Sequence, residues 1–401
     1  MSIEQHLCPV LPLTLGQSAH FFGGGGYCPW SADDRYALAL ETEPGNRMPL
    51  PGDKAGILLI DCRRGTTERL AEVAGWNWQL GAMLQWMPPT YDREIIYCDV
   101  HDGRYVSVIR NIETGMERVL SRPINTVSPD GKFAMSVSSA RLVHLRPLPD
   151  YTGIADPFVR EQFPKQEGLW WLDLTSGAGH LVMSLDEAAR ARPKENMEDV
   201  KHHFEPPVLN PSGTRVLCRH RWARLVGGRP YNDRLFTCNP DGSDIHILAD
   251  DDLAPESDWR DDTHVLAWAR QEKDGNHFYL FTDRTKEAAI IGGEELTEEG
   301  HCRYSPDRRW LALDTYPDVR FQRRLHLFEV ATNRRVEIGV FPSPPPFLRG
   351  DLRCDLNPRW SRDGTRVCID SAHEGVRQMY VLDVSEIVTP PSPPVSAPQL
   401  P

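Results

Sequence analysis

Three positions in the C-terminal half of the chain hold side chains able to bind a cation or move a proton, and they recur at one spacing. Glu256, His301 and Asn357 each stand three residues before an aromatic residue: Trp259, Tyr304 and Trp360. Glu299 and Asp355 stand five residues before the last two of these. Carboxylate, imidazole and amide oxygen at equivalent places are the donors a hard or borderline divalent cation takes. The same groups also serve to hydrogen-bond inner backbone and trapped water, and the spacing alone leaves both readings open. His202, His203 and Glu205 lie slightly further from their own repeat position and belong to the same candidate set.

A second set is basic. Arg219-His-Arg-Trp-Ala-Arg-Leu-Val-Gly-Gly-Arg-Pro-Tyr-Asn-Asp-Arg234 carries His220, Arg221 and Arg234; Thr315–Arg324 carries Tyr316; Ser371–Arg377 carries His373 and Arg377. Guanidinium matches carboxylate in a two-pronged fork. An acidic protein that gathers arginines in loops is suited to an anionic ligand, unless those arginines pair with neighbouring Asp and Glu.

Such residues meet only if the chain brings distant segments to one axis, and a repeat does this. Seven times an apolar residue runs into a short polar turn, with a β-rich stretch after it. Trp30-Ser-Ala-Asp-Asp, Val127-Ser-Pro-Asp-Gly, Leu209-Asn-Pro-Ser-Gly, Trp259-Arg-Asp-Asp, Tyr304-Ser-Pro-Asp-Arg and Trp360-Ser-Arg-Asp-Gly are the clear copies, and Trp86-Met-Pro-Pro is a looser one. Periods of roughly 40–50 residues in β-rich sequence mean a propeller or a solenoid. The fold class expected is all-β: a seven-bladed β-propeller with four-stranded antiparallel blades, in one domain over 1–388. After each turn comes a strand such as Tyr36-Ala-Leu-Ala-Leu, then a loop, then a strand such as Leu325-His-Leu-Phe-Glu, then a Gly- or Asn-containing turn. The seventh repeat lacks its outer strand, so the segment near Cys8 to Leu15 is expected to supply it and hide the open edge. In this geometry the loop leading into strand a and the loop joining strands b and c open on one face, where both residue sets converge.

The bulk properties narrow the partners. The chain has 401 residues, a formal net charge of −12 and 40% apolar residues. That charge argues against nucleic acid, which calls for a basic face. The N-terminal MSIEQHLCPVLPL lacks a basic segment and a long apolar run, so no signal peptide and no membrane span is expected. Nine cysteines are scattered singly with no C-x-x-C pair, which points to free thiols in a reducing, cytoplasmic setting. Residues 389–401 are proline-rich and read as an extended tail. Residues 143–168 read as an irregular excursion, and 183–200 as a short helix with Ser184 as N-cap. This insertion is either rim decoration or one wall of a cleft. Gly23–Gly26 lacks the context of a nucleotide-binding loop and reads as a flexible turn. No nucleophile elbow and no H-E-x-x-H helix appears.

The segments Gly300-His-Cys-Arg-Tyr-Ser-Pro-Asp, Cys354-Asp-Leu-Asn-Pro-Arg-Trp-Ser-Arg-Asp-Gly and Ile369-Asp-Ser-Ala-His-Glu-Gly-Val-Arg-Gln-Met-Tyr resemble the C-terminal blades of oligogalacturonate lyase. The likeness is clearest from about 200 to 385; the N-terminal half shares only a repeat style also seen in TolB-like propellers. The resemblance implies a seven-bladed propeller that cleaves short pectic oligomers by β-elimination. It implies a divalent cation, usually manganese, held by histidines and a glutamine, with a histidine and an arginine in proton abstraction. On that resemblance His301 matches a metal-binding histidine. Asp355 and Asn357 fall on a His-x-His pair, Glu256 on a histidine, and Leu352 near the glutamine. Three ligands thus become oxygen donors, which favours magnesium or calcium, weak binding, or none. His220 falls near the catalytic histidine, with Arg221 or Arg234 beside it and His203 as the alternative base. His202, Tyr316, His373 and Arg377 are then candidates for contact with an anionic oligosaccharide. The rival expectation is a non-catalytic propeller that binds a glycan or a protein.

Overall fold

The computed structural model describes residues 3–24, 26–43, 45–145, 154–222 and 231–389. Seven antiparallel sheets follow one another along the chain, spanning residues 19–73, 85–120, 126–184, 202–249, 256–291, 302–342 and 359–383; we call them blades I to VII. The expected seven-bladed propeller is observed. Six of the seven anchors end an innermost strand, as Trp259 closes Glu256–Trp259, Tyr304 closes Cys302–Tyr304 and Trp360 closes Arg359–Trp360, while Trp30 forms an isolated bridge with Ala37.

The polar turns recur because one side chain closes them, a serine in four blades. The Oγ atoms of Ser31, Ser128, Ser305 and Ser361 accept the backbone N–H of Tyr36, Phe133, Trp310 and Arg366 at 2.9–3.0 Å. The same hydroxyls donate to Asp33, Asp130, Asp307 and Asp363. Asn210 and Asp261 do the accepting in blades IV and V. The anchor tryptophans then tie blade to blade. Trp86 Nε1 donates to Pro29 O at 2.8 Å, Trp259 Nε1 to Val208 O at 3.1 Å, and Trp360 Nε1 to Arg303 O at 3.0 Å. Their rings fill the apolar layers between sheets, where burial supplies most of the driving force.

Ring closure follows the expectation and adds to it. Strand β2 (Val10–Pro12) pairs antiparallel with Gln378–Asp383, matching Val10 to Leu382 and Pro12 to Tyr380, and so completes blade VII. Strand β1 (Glu4–Gln5) pairs parallel with the outer strand of blade VI, a contact the sequence did not suggest. The outermost edges of both blades are thereby covered.

Ser184 caps helix α1 (Leu185–Ala191) in a capping box with Glu187, as its sequence context predicts. This insertion lies over blade IV. Met197 O accepts from His202, and Arg234 Nη1 donates to Ala188 O at 3.2 Å. Residues 146–153 of the excursion, 223–230 of the basic loop and 390–401 of the tail lie outside the described residues. No helix among the described residues is long and apolar enough to cross a membrane. All nine cysteines are free thiols.

Candidate functional site

The inner strands of blades V, VI and VII deliver Glu256, His301 and Asn357 to one cavity at the mouth of the central channel. This is the face on which the b–c loops open. His301 is the centre of the cluster. Its Nε2 lies 3.9 Å from Glu256 Oε1, and its Nδ1 donates to Asp314 at 3.0 Å. Asp314 ends the second strand of blade VI and is almost wholly buried. It also accepts the N–H of His301 at 2.7 Å and the N–H of Asn357 at 3.0 Å. One carboxylate therefore fixes the start of two neighbouring inner strands. Sequence reasoning missed Asp314, although its repeat-mate Asp370 does the same for blade I, accepting from Phe22 N and Gly23 N. Two aspartates ten residues after the anchors Tyr304 and Trp360, at the end of the second strands of adjacent blades or one residue before it, were the available signal.

Burial works against a charge on His301. The Asp314 and Glu256 carboxylates outweigh it and raise the imidazole pKa to about 9. At neutral pH the ring is an imidazolium, with Nδ1 committed and Nε2 directed toward Glu256. Tyr316 stacks obliquely on it, with ring centroids 5.9 Å apart, and burial raises the phenol pKa.

Three arginines complete the cavity, and sequence reasoning singled out none of them. Arg219, on strand Val216–Trp222, lines it with a buried Nε that has no hydrogen-bond partner among the described residues. Arg303 is held by Cys302 O at 2.6 Å and Ser257 O at 3.2 Å and has no carboxylate within ion-pair distance among the described residues. Arg353 pairs with Asp355 at 2.6 Å. Its loop is fixed from two sides: Gln79 Nε2 donates to Arg353 O at 3.0 Å, and Arg377 Nη2 to Leu352 O at 2.8 Å.

The remaining expected residues lie elsewhere. Asp355 does not face the cavity. It is enclosed between Arg353 and Arg323, the latter at 2.8 Å. Burial raises its pKa, but the two guanidinium groups prevail and hold it at about 2. Arg377 is enclosed over Trp78, where it steadies the Arg353 loop. His373 hydrogen-bonds Ser371 Oγ at 2.9 Å, and burial lowers its pKa.

Blade IV departs furthest from expectation. His220 is fully buried among Phe204, Trp222 and His202, and its Nε2 meets His202 Nδ1 at 2.9 Å. Burial holds its pKa well below the histidine range and that of His202 at about 4. Neither ring reaches the channel, so His220 does not stand where a base must. Arg234 is likewise enclosed, pinned to Asp250 at 2.8 Å. His203 and Arg221 are buried too, but both bind Glu205 Oε1, at 3.2 and 2.9 Å, and Glu205 does line the cavity. Gly23 and Gly26 are closely packed against neighbouring segments. A Cβ on Gly23 would lie 2.4 Å from Gly81 N, and one on Gly26 2.5 Å from Arg303 Nε, so only glycine lets this segment line the channel.

The donors present do not fit a divalent cation. His301 spends Nδ1 on Asp314, Asp355 is neutralised by two arginines, and Leu352 offers no ligand atom. Among the described residues no group of three or more His, Cys, Asp or Glu is arranged to hold a metal ion. Cationic side chains surround the place where a cation was expected.

No family model matches the sequence, and no curated protein matches it. Among solved structures, the chain is similar to an oligogalacturonate lyase from Vibrio parahaemolyticus, at 14% identity and a TM-score of 0.66 over 96% of each chain. It is similar to an oligogalacturonate lyase in complex with manganese, at 14% identity and a TM-score of 0.67, again over 96% of each chain. The tricorn protease is a third, at 10% identity and a TM-score of 0.53, covering 96% of this chain and 35% of that one. At such identities the likeness is one of fold: this is a seven-bladed propeller built like the oligogalacturonate lyases.

Proposed function

We propose that the chain is a lyase-like propeller that cleaves short uronate-containing oligosaccharides by β-elimination without a metal ion. One observation carries this reading: Arg219 and Arg303, both without a carboxylate partner among the described residues, face the Glu256–His301 pair in one cavity. A uronate carboxylate bound by these guanidinium groups loses much of its negative charge, and its α-proton becomes more acidic. Glu256 takes that proton as general base. The C–H electron pair forms the C4=C5 double bond, the C4–O bond breaks, and the leaving oxygen takes a proton from the His301 imidazolium. Glu256 then returns its proton to His301 across their 3.9 Å separation, and the site is reset. His203 and Arg221 act as positioning residues by holding Glu205 in the cavity wall.

The unsaturated product absorbs near the ultraviolet edge. Mixing the protein with oligogalacturonides in the presence of a chelator is expected to give a steady rise in absorbance. No rise, with or without added manganese, magnesium or calcium, sinks the elimination. A rise only with added cation sinks the metal-free form. The enclosure of His220 and Arg234 favours a second reading, a non-catalytic glycan binder of anionic oligosaccharides. Saturable binding of the oligomer without any absorbance change decides for it.

A further inference from the structure

The inner strand Cys302–Tyr304 meets the site above at its start, through His301. Its other end meets a second cavity of about 300 Å3, where the first two strands of blades VI and VII turn over. Apart from Arg303, the elimination described above makes no use of its residues. Four arginines line it: Arg303, Arg308, Arg359 and Arg362. Arg359 is neutralised by Asp370 at 2.7 Å. The other three have no carboxylate within ion-pair distance among the described residues and are held by main-chain carbonyls instead. Arg303 Nη1 donates to Cys302 O and Ser257 O, Arg308 Nη1 to Trp259 O at 3.2 Å, and Arg362 Nε to Trp30 O at 2.9 Å. A carbonyl fixes the direction of a guanidinium without cancelling its charge, and five N–H donors per group leave several to spend. The one carboxylate in the lining is Asp258, whose Oδ2 accepts Tyr304 N at 2.9 Å. Three guanidinium charges against one carboxylate leave a surplus of two.

An independent observation concerns Tyr304. The residue is 5% exposed and lines the same cavity, and its hydroxyl is buried with no hydrogen-bond partner among the described residues. Buried hydroxyls are as a rule partnered.

We propose that this second cavity binds a small dianion of the phosphate class, seated on Arg303, Arg308 and Arg362 with the Tyr304 hydroxyl as a further donor. Arg303 lines both cavities, so the two sites share one guanidinium. The test is calorimetric titration of the full chain with inorganic phosphate at fixed ionic strength in chloride. Saturable binding is expected. Arg308→Gln weakens it by roughly tenfold, the scale of one charge-assisted hydrogen bond. Tyr304→Phe weakens it by a smaller factor, while Arg219→Gln, in the other cavity, leaves it unchanged. Absence of saturable binding by the folded wild type, or equal affinity in Arg308→Gln, overturns the proposal. Should Arg308→Gln fail to fold, Tyr304→Phe decides, since it removes one oxygen and no charge; unchanged affinity there overturns the assignment. Each outcome stands apart from any lyase activity.

Discussion

His202 of blade IV and His301 of blade VI both stand beside strand backbone, yet the two sites hold opposite protonation states. His301 faces two carboxylates and keeps its proton up to about pH 9. His202 faces a main-chain carbonyl, the His220 ring and indole, and stays neutral down to about pH 4. The residue type is the same, and both rings are largely out of water. What differs is whether the ring has an anion to lean on. A histidine in a candidate list is therefore neither acid nor base until its neighbours are known.

The sharpest way to break this comparison is Glu256→Gln. It removes the proposed base and one of the two anions facing His301. Turnover of oligogalacturonides should fall by about 100-fold or more, and the His301 titration followed by NMR should move down. Retention of wild-type activity would remove Glu256 from the mechanism. Next comes Asp314→Asn, which leaves a buried imidazolium short of its main partner and should destabilise the fold by about 3 kcal/mol in denaturant unfolding. An unchanged midpoint would show that the brace is not electrostatic.

The two regions should also lose stability at opposite ends of the pH scale. His301 has a folded pKa above its unfolded value, so its contribution is fully present below about pH 6.5 and is lost as pH rises through about 9. His202 has a depressed folded pKa. In the window from about 6.5 down to 4 the unfolded chain binds the proton more readily, so stability falls as pH falls. Thermal midpoints of His301→Gln and His202→Gln across pH 4–10 should flatten one limb each. The same limb flattening in both variants would contradict the assignment. The smallest effect is expected for His220→Phe. Its ring packs among aromatics and its Nδ1 is unpartnered, so stability should change by about 1 kcal/mol and activity hardly at all. A large loss of activity would restore His220 as a catalytic residue.

The fold was legible because one local device repeats: a short polar turn beside an anchor side chain, closed by a serine in four blades and by Asn210 and Asp261 in two more. Six clear copies and the looser one at Trp86 fix the ring. Part of the site was legible for the same reason. Glu256, His301 and Asn357 hold equivalent positions in successive blades, and symmetry carries them to one cavity. Arg353 escaped because nothing local places it; its loop is held by Gln79 and Arg377 from other parts of the ring. His220 was misread for want of a simple alternation. Cys218, His220 and Trp222 share one face of their strand, the apolar one, whereas Arg219 and Arg221 occupy the other. Period two assigns the neighbours of His220, rather than His220 itself, to the chemistry. The glycine run hid its role because close approach between segments leaves no mark in composition.

The pairing of Val10–Pro12 with Gln378–Asp383 joins the two extremes of the described chain. A ribosome delivers the first partner hundreds of residues before the second. Until then the growing molecule is an open spiral with an exposed flank, and closing so long a loop is slow. Maturation of the whole ring therefore waits on the last blade to leave the exit tunnel, and a tag or truncation that occupies residues 10–14 should slow or prevent that final step more than any change in the blades between.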